Sequence, residues 1–417
     1  MSVKPFVLLL FISWINTFSI AQAEQEHIVD HVDLITVDPQ LSLADLIVQT
    51  LEKYPDYQLI SAMHQESDAL QERGSRWFAG APTASVYYRD DFAGSDTGAY
   101  EVDAGVAVPV WNWGQRDAGL QLAEQSQQSI TYQVQAIKLK VAGLVRIALW
   151  ELKLEEWRYH MAKKAYHLTE QLTKTVDRRV ELGDLPKTDF LLAQSELLQN
   201  KTELMQAEAE LMHVRKRFYF LTQDNKMPAE ITETQSTLEF AASHPGLMAI
   251  DATIAKKKAQ MEWVKAKGSG QATIGIGGDT DKPSRVDSAV NSITFTVSVP
   301  FGGRAYIAPV IAASNKQYVA AQVAKAHMHR KLLEQMHEAE HELEVERAIL
   351  ANSQQMQANA YEHLQMANLS FEAGEINLMD FLRIQKRSLQ AIKNAQESAI
   401  KLQRDIALYN QAVGVMP

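Results

Sequence analysis

The chain has 417 residues, of which 46% are hydrophobic and 22% charged, so it has enough apolar material for a large core. Its 41 Lys and Arg residues against 51 Asp and Glu give a net charge of −10, which argues against a general nucleic-acid binder, because such proteins present a basic face. It has no cysteine, and this excludes disulfides, thiolate metal sites, cysteine nucleophiles and a lipid-modified N-terminal cysteine.

The N-terminal residues have the pattern of a secretory signal peptide. Lys4 precedes an apolar run over residues 6–20, and Ala21-Gln22-Ala23 is a small-x-small cleavage site, so residues 1–23 are assigned to the signal. An uncleaved anchor is the alternative, but the run is short for a membrane span. Residues 24–40 are expected to form an extended periplasmic segment. We find no later apolar run of about 18 residues, so the sequence predicts no transmembrane helix in the mature chain.

The rest of the chain is two copies of one unit, residues 41–223 and 239–417, joined by a polar linker at 224–238. VELGDLPKTDFLLAQ at 180–194 and FEAGEINLMDFLRIQ at 371–385 agree at six of fifteen positions with an offset of 191. VPVWNWGQR at 108–116 corresponds to VPFGGR at 299–304, and Tyr54-Pro55 corresponds to His244-Pro245. Agreement in the same order at nearly constant offset indicates an internal repeat.

Each copy predicts a helix, two strands, a long helix, a turn and a returning helix. In the first copy these are a helix over 41–77 interrupted near Pro55, strands at 85–89 and 100–110, a helix over 115–182 and another over 187–221. The second copy predicts strands at 272–277 and 292–301 and a helix over 304–373. In the strand at 100–110, apolar residues alternate with Glu101, Asp103, Gly105 and Ala107, which is the period of a β-strand.

The long helices would each span roughly 100 Å at 1.5 Å per residue. Their returning partner at 187–221 repeats apolar residues every seven positions, which is typical of a coiled coil. The fold class is therefore mainly α with a small β part. A compact soluble domain has no use for two such helices.

The strands alternate as membrane strands do, but four per chain cannot close a barrel, and open edges are not tolerated in lipid. Several chains must pool their strands, and three chains of four would give twelve. Glu101 and Asp103 would then face a wet lumen. Four aromatic residues fall where strands meet helices, as an interfacial belt should: Trp77, Phe78, Trp111 and Trp113. The alternative is a soluble hairpin with ordinary surface tryptophans.

The signal peptide, the two-fold repeat, the VPVWNWGQR and VPFGGR segments and the two G-x5-D turns together resemble the TolC family of outer-membrane efflux channels. The resemblance implies a homotrimer with a twelve-stranded barrel in outer-membrane lipid and a long α-helical barrel in the periplasm. It also implies a passive duct served by a periplasmic membrane-fusion adaptor and an inner-membrane pump, most often of the RND type. Exported substrates would be metal cations, small toxic compounds or, in type I secretion, proteins. The short linker and the Val413-Gly414-Val415 ending resemble the heavy-metal branch of the cobalt–zinc–cadmium type.

The resemblance also assigns roles around the two turns, which form the periplasmic tips in the family. Gly183, Asp189, Gly374 and Asp380 would contact the adaptor, and candidates for the pore constriction are Glu372, Glu375, Asp380 and Arg383. The prototype has a tyrosine where this chain has Phe371 and an acidic residue where it has Arg383, so a closed-state latch would differ here. The alternative is that these charges are solvated helix ends.

One motif favours a different function. His337-Glu338-Ala339-Glu340-His341 fits H-E-x-x-H, the motif of zinc metallopeptidases, in which two histidines bind zinc and the glutamate acts as base. It lies deep within a long predicted helix without a surrounding domain to form a cleft. A solvated helix face is therefore preferred to a metal site, and we expect neither an enzyme nor a bound cofactor. A soluble periplasmic coiled-coil scaffold or adaptor is the remaining alternative.

Overall fold

The computed structural model describes residues 34–238 and 243–417. The predicted signal peptide, the first part of the segment at 24–40 and the first four residues of the second copy lie outside these ranges. The helices are α1 Leu43–Lys53, α2 Asp56–Ser75, α3 Gln115–Glu181, α4 Lys187–Thr222, α5 Pro245–Lys267, α6 Arg304–Glu372 and α7 Leu378–Ala412. The strands are β1 Thr36–Asp38, β2 Thr83–Asp90, β3 Tyr100–Val110, β4 Lys226–Pro228, β5 Ala272–Lys282 and β6 Val290–Ser298.

The same order of elements occurs twice, as α2-β2-β3-α3-α4 and as α5-β5-β6-α6-α7. The two long helices, α3 and α6, have 67 and 69 residues and are therefore roughly 100 Å long. Pro55 separates α1 from α2, as predicted, and opens the second helix. The first helix is capped by Ser42.

The helices form a layer with α3 near its middle. α2 packs along the first half of α3 and α4 along its second half, where Asn200 donates a hydrogen bond to Thr169 at 2.8 Å. On the other side of α3 lie α5 and α7, and α6 packs against both of these. The layer therefore ends in α2 and α4 at one edge and in α6 at the other.

A buried cluster fixes the middle of this layer, where α1, α3 and α4 meet the linker. Ile47, Leu149 and Phe218 are fully buried there together with Met227 of β4. β4 pairs in parallel with β1, so the linker predicted as a simple polar connection in fact contributes a strand and two buried apolar side chains. Arg146 of α3 is buried beside it and forms a two-pronged ion pair with Glu233 of the linker, at 2.8 and 2.6 Å.

The larger sheet has four antiparallel strands in the order β2-β3-β5-β6, so β2 and β6 are its edges. β5 continues to Lys282, five residues beyond the predicted end at Gly277. The prediction was wrong here because Gly277, Gly278 and Asp279 suggested a loop. In the sheet these residues are paired with both neighbouring strands, which keeps them extended.

Within residues 34–238 and 243–417, none of the helices combines the length and the apolar character required to cross a bilayer.

Candidate functional site: the sheet faces and the helical tips

The two faces of the four-stranded sheet differ sharply in chemistry. Residues directly opposite in neighbouring strands share a face, and alternate residues along a strand switch faces. By this register one face is apolar on all four strands, with Ala84, Val86, Val102, Ala104, Val106, Val108, Ile274, Ile276, Ile293, Phe295 and Val297. Phe295 and Val86 are 77% and 78% exposed in the single chain, so this face requires an apolar partner.

The opposite face is polar and largely acidic. Glu101 lies opposite Asp281, and Asp103 lies opposite Asp279, so four carboxylates gather near the outer ends of β3 and β5. Arg89 of β2 pairs with Glu101 at 2.7 Å and offsets one of these charges. Asp279 and Asp281 were missed from the sequence because they were placed in a loop. The sequence did contain a signal for a longer strand, because the two-residue alternation that begins with Ile274 and Ile276 continues through Asp279 and Asp281.

The predicted aromatic belt lies at the helix end of the sheet. Trp77 and Trp113 are almost fully exposed, and Phe78 is 44% exposed. Trp111 is half-buried and donates its indole N–H to the carbonyl oxygen of Arg76 at 3.2 Å. Trp77 and Phe78 lie between α2 and β2, and Trp111 and Trp113 lie between β3 and α3.

At the other end of the sheet, the loop between β2 and β3 is built around Asp91. Its carboxylate accepts hydrogen bonds from three backbone N–H groups and two hydroxyls of residues 95–99. These donors hold the pKa of the Asp91 carboxyl well below its ordinary value, and the Thr97 hydroxyl contributes most. The Arg285 guanidinium, in the β5–β6 loop, pairs with Asp96 at 2.6 Å. The backbone N–H of Arg285 donates to the Thr97 carbonyl, so the two loops are joined.

The first tip, residues 182–186 between α3 and α4, reverses the chain through Gly183. Its φ of +80° is in the left-handed region, and the N–H of Asp184 reaches back to the carbonyl of Arg179 at 2.8 Å. This is the glycine C-cap that the sequence predicts. Asp189 lies in the first turn of α4, where a carboxylate faces the positive end of the helix dipole.

The second tip, residues 373–377 between α6 and α7, has the same geometry. Gly374 has a φ of +76°, and the Asn377 side chain caps α7 by accepting the Asp380 N–H at 2.8 Å. Arg383 donates to the Asp380 carboxylate at 2.9 Å, so the charge of Asp380 is partly neutralised within its own helix. Glu372 and Glu375 lie on the exposed surface of this tip.

Arg179 contacts both tips, which could not be predicted from the sequence. Its guanidinium pairs with Asp184 of the first tip at 2.6 Å and donates to the carbonyl of Phe371 in α6 at 3.4 Å. Phe371 in turn stacks on Phe381 of α7 with ring centroids 4.7 Å apart. The phenylalanine in place of the prototype's tyrosine is thus a core residue, 6% exposed, rather than a surface hydrogen-bond donor.

The H-E-x-x-H motif lies on the exposed surface of α6. His337, Glu338 and His341 are all exposed, and among the described residues there is no group of three or more metal-ligating side chains placed to hold an ion.

Comparison with known proteins gives the class of the molecule. Residues 78–222 match the family model of outer membrane efflux proteins. No curated protein matches the sequence. Solved structures with the same fold include the outer membrane channel CmeC of Campylobacter jejuni, with 13% identity, a TM-score of 0.71 and coverage of 89% of this chain and 85% of that one.

Two further solved structures have the same fold. VceC, an outer membrane protein of Vibrio cholerae, is 12% identical with a TM-score of 0.70, covering 89% of this chain and 96% of its own. CusC is 12% identical with a TM-score of 0.71, covering 90% of this chain and 92% of its own. At such identities the structures establish the fold alone.

The chain therefore carries an outer membrane efflux protein domain within a TolC-like channel fold. The match over residues 78–222 supports the predicted family and the outer-membrane location, and the mainly helical fold class is confirmed. The heavy-metal branch stays a prediction.

Proposed function

We propose that the protein is the homotrimeric, passive outer-membrane duct of a tripartite efflux system. The observation that carries the proposal is the four-stranded sheet, which is apolar on one face, polar on the other and unpaired at both edges. An apolar face fits lipid, a polar face fits water, and edges in lipid must be paired. Three copies would pair their edges in a ring of twelve strands.

The helical layer supports the same assembly. β2 leads from α2 at one edge of the layer, and β6 leads into α6 at the other edge. A copy that pairs its β2 with a neighbour's β6 therefore also brings α2 and α4 beside the neighbour's α6. Repeating this head-to-tail contact three times closes both the sheet and the helical wall, which is what a closed ring requires.

The polar face of the sheet would line the exit. Each copy contributes a net negative surface, because this face carries one cation, Arg89, and four carboxylates: Glu101, Asp103, Asp279 and Asp281. Rings of carboxylates favour cations in a pore. We therefore propose metal cations or small cationic toxic compounds as the exported substrates.

The tips would receive the adaptor and form the constriction. They lie roughly 100 Å from the sheet along α3 and α6, a length that suits crossing the periplasm. Gly183, Asp189, Gly374 and Asp380 would contact a membrane-fusion adaptor. An inner-membrane pump, of the RND type by the family resemblance, would supply the energy.

The test is a deletion of the gene in its own host, complemented by the intact chain. The deletion is expected to lower resistance to a metal cation or a small toxic compound, and the same loss is expected from deletion of the pump. Two panels, divalent metal salts and organic cations, distinguish the substrate classes. Unchanged resistance to both panels, with no accumulation of substrate inside the cells, would contradict the proposal and favour the periplasmic scaffold.

A further inference from the structure

A cavity lies in front of β2, at the edge of the sheet. It has a volume of about 590 Å³ and is lined by residues 76–82 together with Arg73. Phe78, Gly80, Ala81 and Pro82 give it an apolar floor. Its lining residues lead directly into β2, an edge strand that a neighbouring copy could pair with.

The segment that lines the cavity is held in a fixed conformation. The Arg116 side chain donates to the carbonyls of Gly74 and Ser75 at 3.0 and 3.2 Å, and the Ala79 N–H donates to the Pro109 carbonyl at 2.9 Å. The Arg73 guanidinium is fixed over the Trp263 ring at 4.2 Å. The cavity is thus formed before anything enters it, which lowers the entropy cost of filling it.

The opposite edge of the sheet presents an apolar side chain without cover. Phe301 follows β6 by three residues and is 97% exposed. In an antiparallel pair, the end of β6 lies beside the beginning of β2. Phe301 of one copy and the cavity of the next are therefore brought to the same end of a shared strand pair.

The internal repeat specifies which residues meet. β3 and β5 form the junction between the two repeats, and Val110 lies opposite Ala272 in it. Val110 corresponds to Phe301, because Val108-Pro109-Val110 aligns with Val299-Pro300-Phe301. Aligning the apolar faces of β2 and β5 gives an offset of 274 − 84 = 190, so Ala272 corresponds to Pro82.

We infer that Phe301 of one copy packs opposite Pro82 of the next copy and covers the cavity in front of its β2. The contact rests on the proposed trimer and deepens it by naming the residues that join the copies. The occupant is a second copy of this chain, since the β6 edge supplies an exposed aromatic ring at the level of the cavity and the repeat supplies the register.

Engineered cysteines test the contact cleanly because the chain has none of its own. The double variant Pro82→Cys with Phe301→Cys is purified in detergent, oxidised and run on a denaturing non-reducing gel. It should give disulfide-linked dimers and trimers. The intrachain counterpart, Val110→Cys with Ala272→Cys, should form its disulfide but run as a monomer. Pairing Pro82→Cys with Val286→Cys, at the far end of the strands, should give no link.

The outcomes separate this contact from the trimer itself. Suppose that mass measurement in detergent shows an intact trimer and that the Val110/Ala272 pair forms its disulfide. If the Pro82/Phe301 pair then stays unlinked, the contact alone is overturned. A monomer in detergent would overturn the proposed function and the contact with it. Phe301→Ala should also lower the temperature at which the trimer dissociates, while Phe92→Ala, an exposed ring in the outer loop, should not; equal temperatures would count against the cavity.

Discussion

The guanidinium carbon of Arg179 lies 5.4 Å from the centre of the Phe371 ring, and this contact joins the helix reversals of the two repeats. Arg179 belongs to α3 of the first repeat, and Phe371 belongs to α6 of the second. Arg179 also pairs with Asp184 of the first tip. One side chain of α3 therefore contacts both tips of the same copy.

The first prediction concerns this connection. Arg179→Ala should loosen the tips and raise the resting conductance of the channel in planar bilayers, because the cation–π contact and the hydrogen bond to Phe371 are both lost. Arg178→Ala is the matched control, since Arg178 is exposed and pairs with Glu181 of its own helix. If the two variants conduct alike, the link does not restrain the tips.

The second prediction concerns the reversals themselves. A valine at Gly183 or Gly374 should abolish efflux with trimers intact, because a β-branched residue at positive φ is strained by about 1–2 kcal/mol or more. Apart from the glycine and its chain neighbours, no heavy atom of the described residues lies within 4 Å of the position that a Cβ would occupy at either glycine. The effect would therefore come from the backbone rather than from a clash.

Controls for the glycine variants lie one residue away. Leu182→Val and Ala373→Val introduce the same side chain at right-handed backbone positions, with φ of −81° and −76°. These two should export normally. Normal export by the glycine variants at normal protein level would remove the tips from the mechanism.

The alternation of the strands and the tip glycines could be predicted from the sequence because both depend on local rules. Apolar residues at every second position of 100–110 specify a face, and a glycine after a helix specifies a C-cap. The Arg146–Glu233 ion pair could not be predicted, because it joins residues 87 positions apart through the packing of the linker on α3. The length of β5 was missed for a related reason: its glycines suggest a loop by composition, and only the pairing with β3 and β6 keeps them extended.

The third prediction distinguishes the two faces of the sheet. Val106→Asp should impair insertion and assembly, because it places a charge on the apolar face. The free-energy cost of an acidic residue there is below the ~2–4 kcal/mol that a basic residue costs at the middle of the membrane. Ala107→Asp, on the polar face beside it, should be milder. Heat-modifiable trimer in outer-membrane fractions is the readout, and equal or reversed effects would show that the faces are assigned wrongly.

The fourth prediction concerns the constriction. If three copies of Asp380 meet near the axis, Asp380→Asn should move the cation-to-anion permeability ratio toward one and weaken block by multivalent cations. Arg383→Ala should strengthen both, because Arg383 lies 2.9 Å from the Asp380 carboxylate and offsets its charge. Reversal potentials in asymmetric KCl give the measurement. Values unchanged in both variants would place Asp380 away from the pore.

The open sheets of several copies are expected to close on one another, and the oligomeric state in detergent tests this most directly. Sedimentation in density-matched detergent, or native mass spectrometry after detergent removal in the gas phase, reports the number of chains. We predict a trimer that needs detergent to stay in solution, because each single sheet leaves β2 and β6 unpaired and one face apolar. A monodisperse monomer in water without detergent would contradict it.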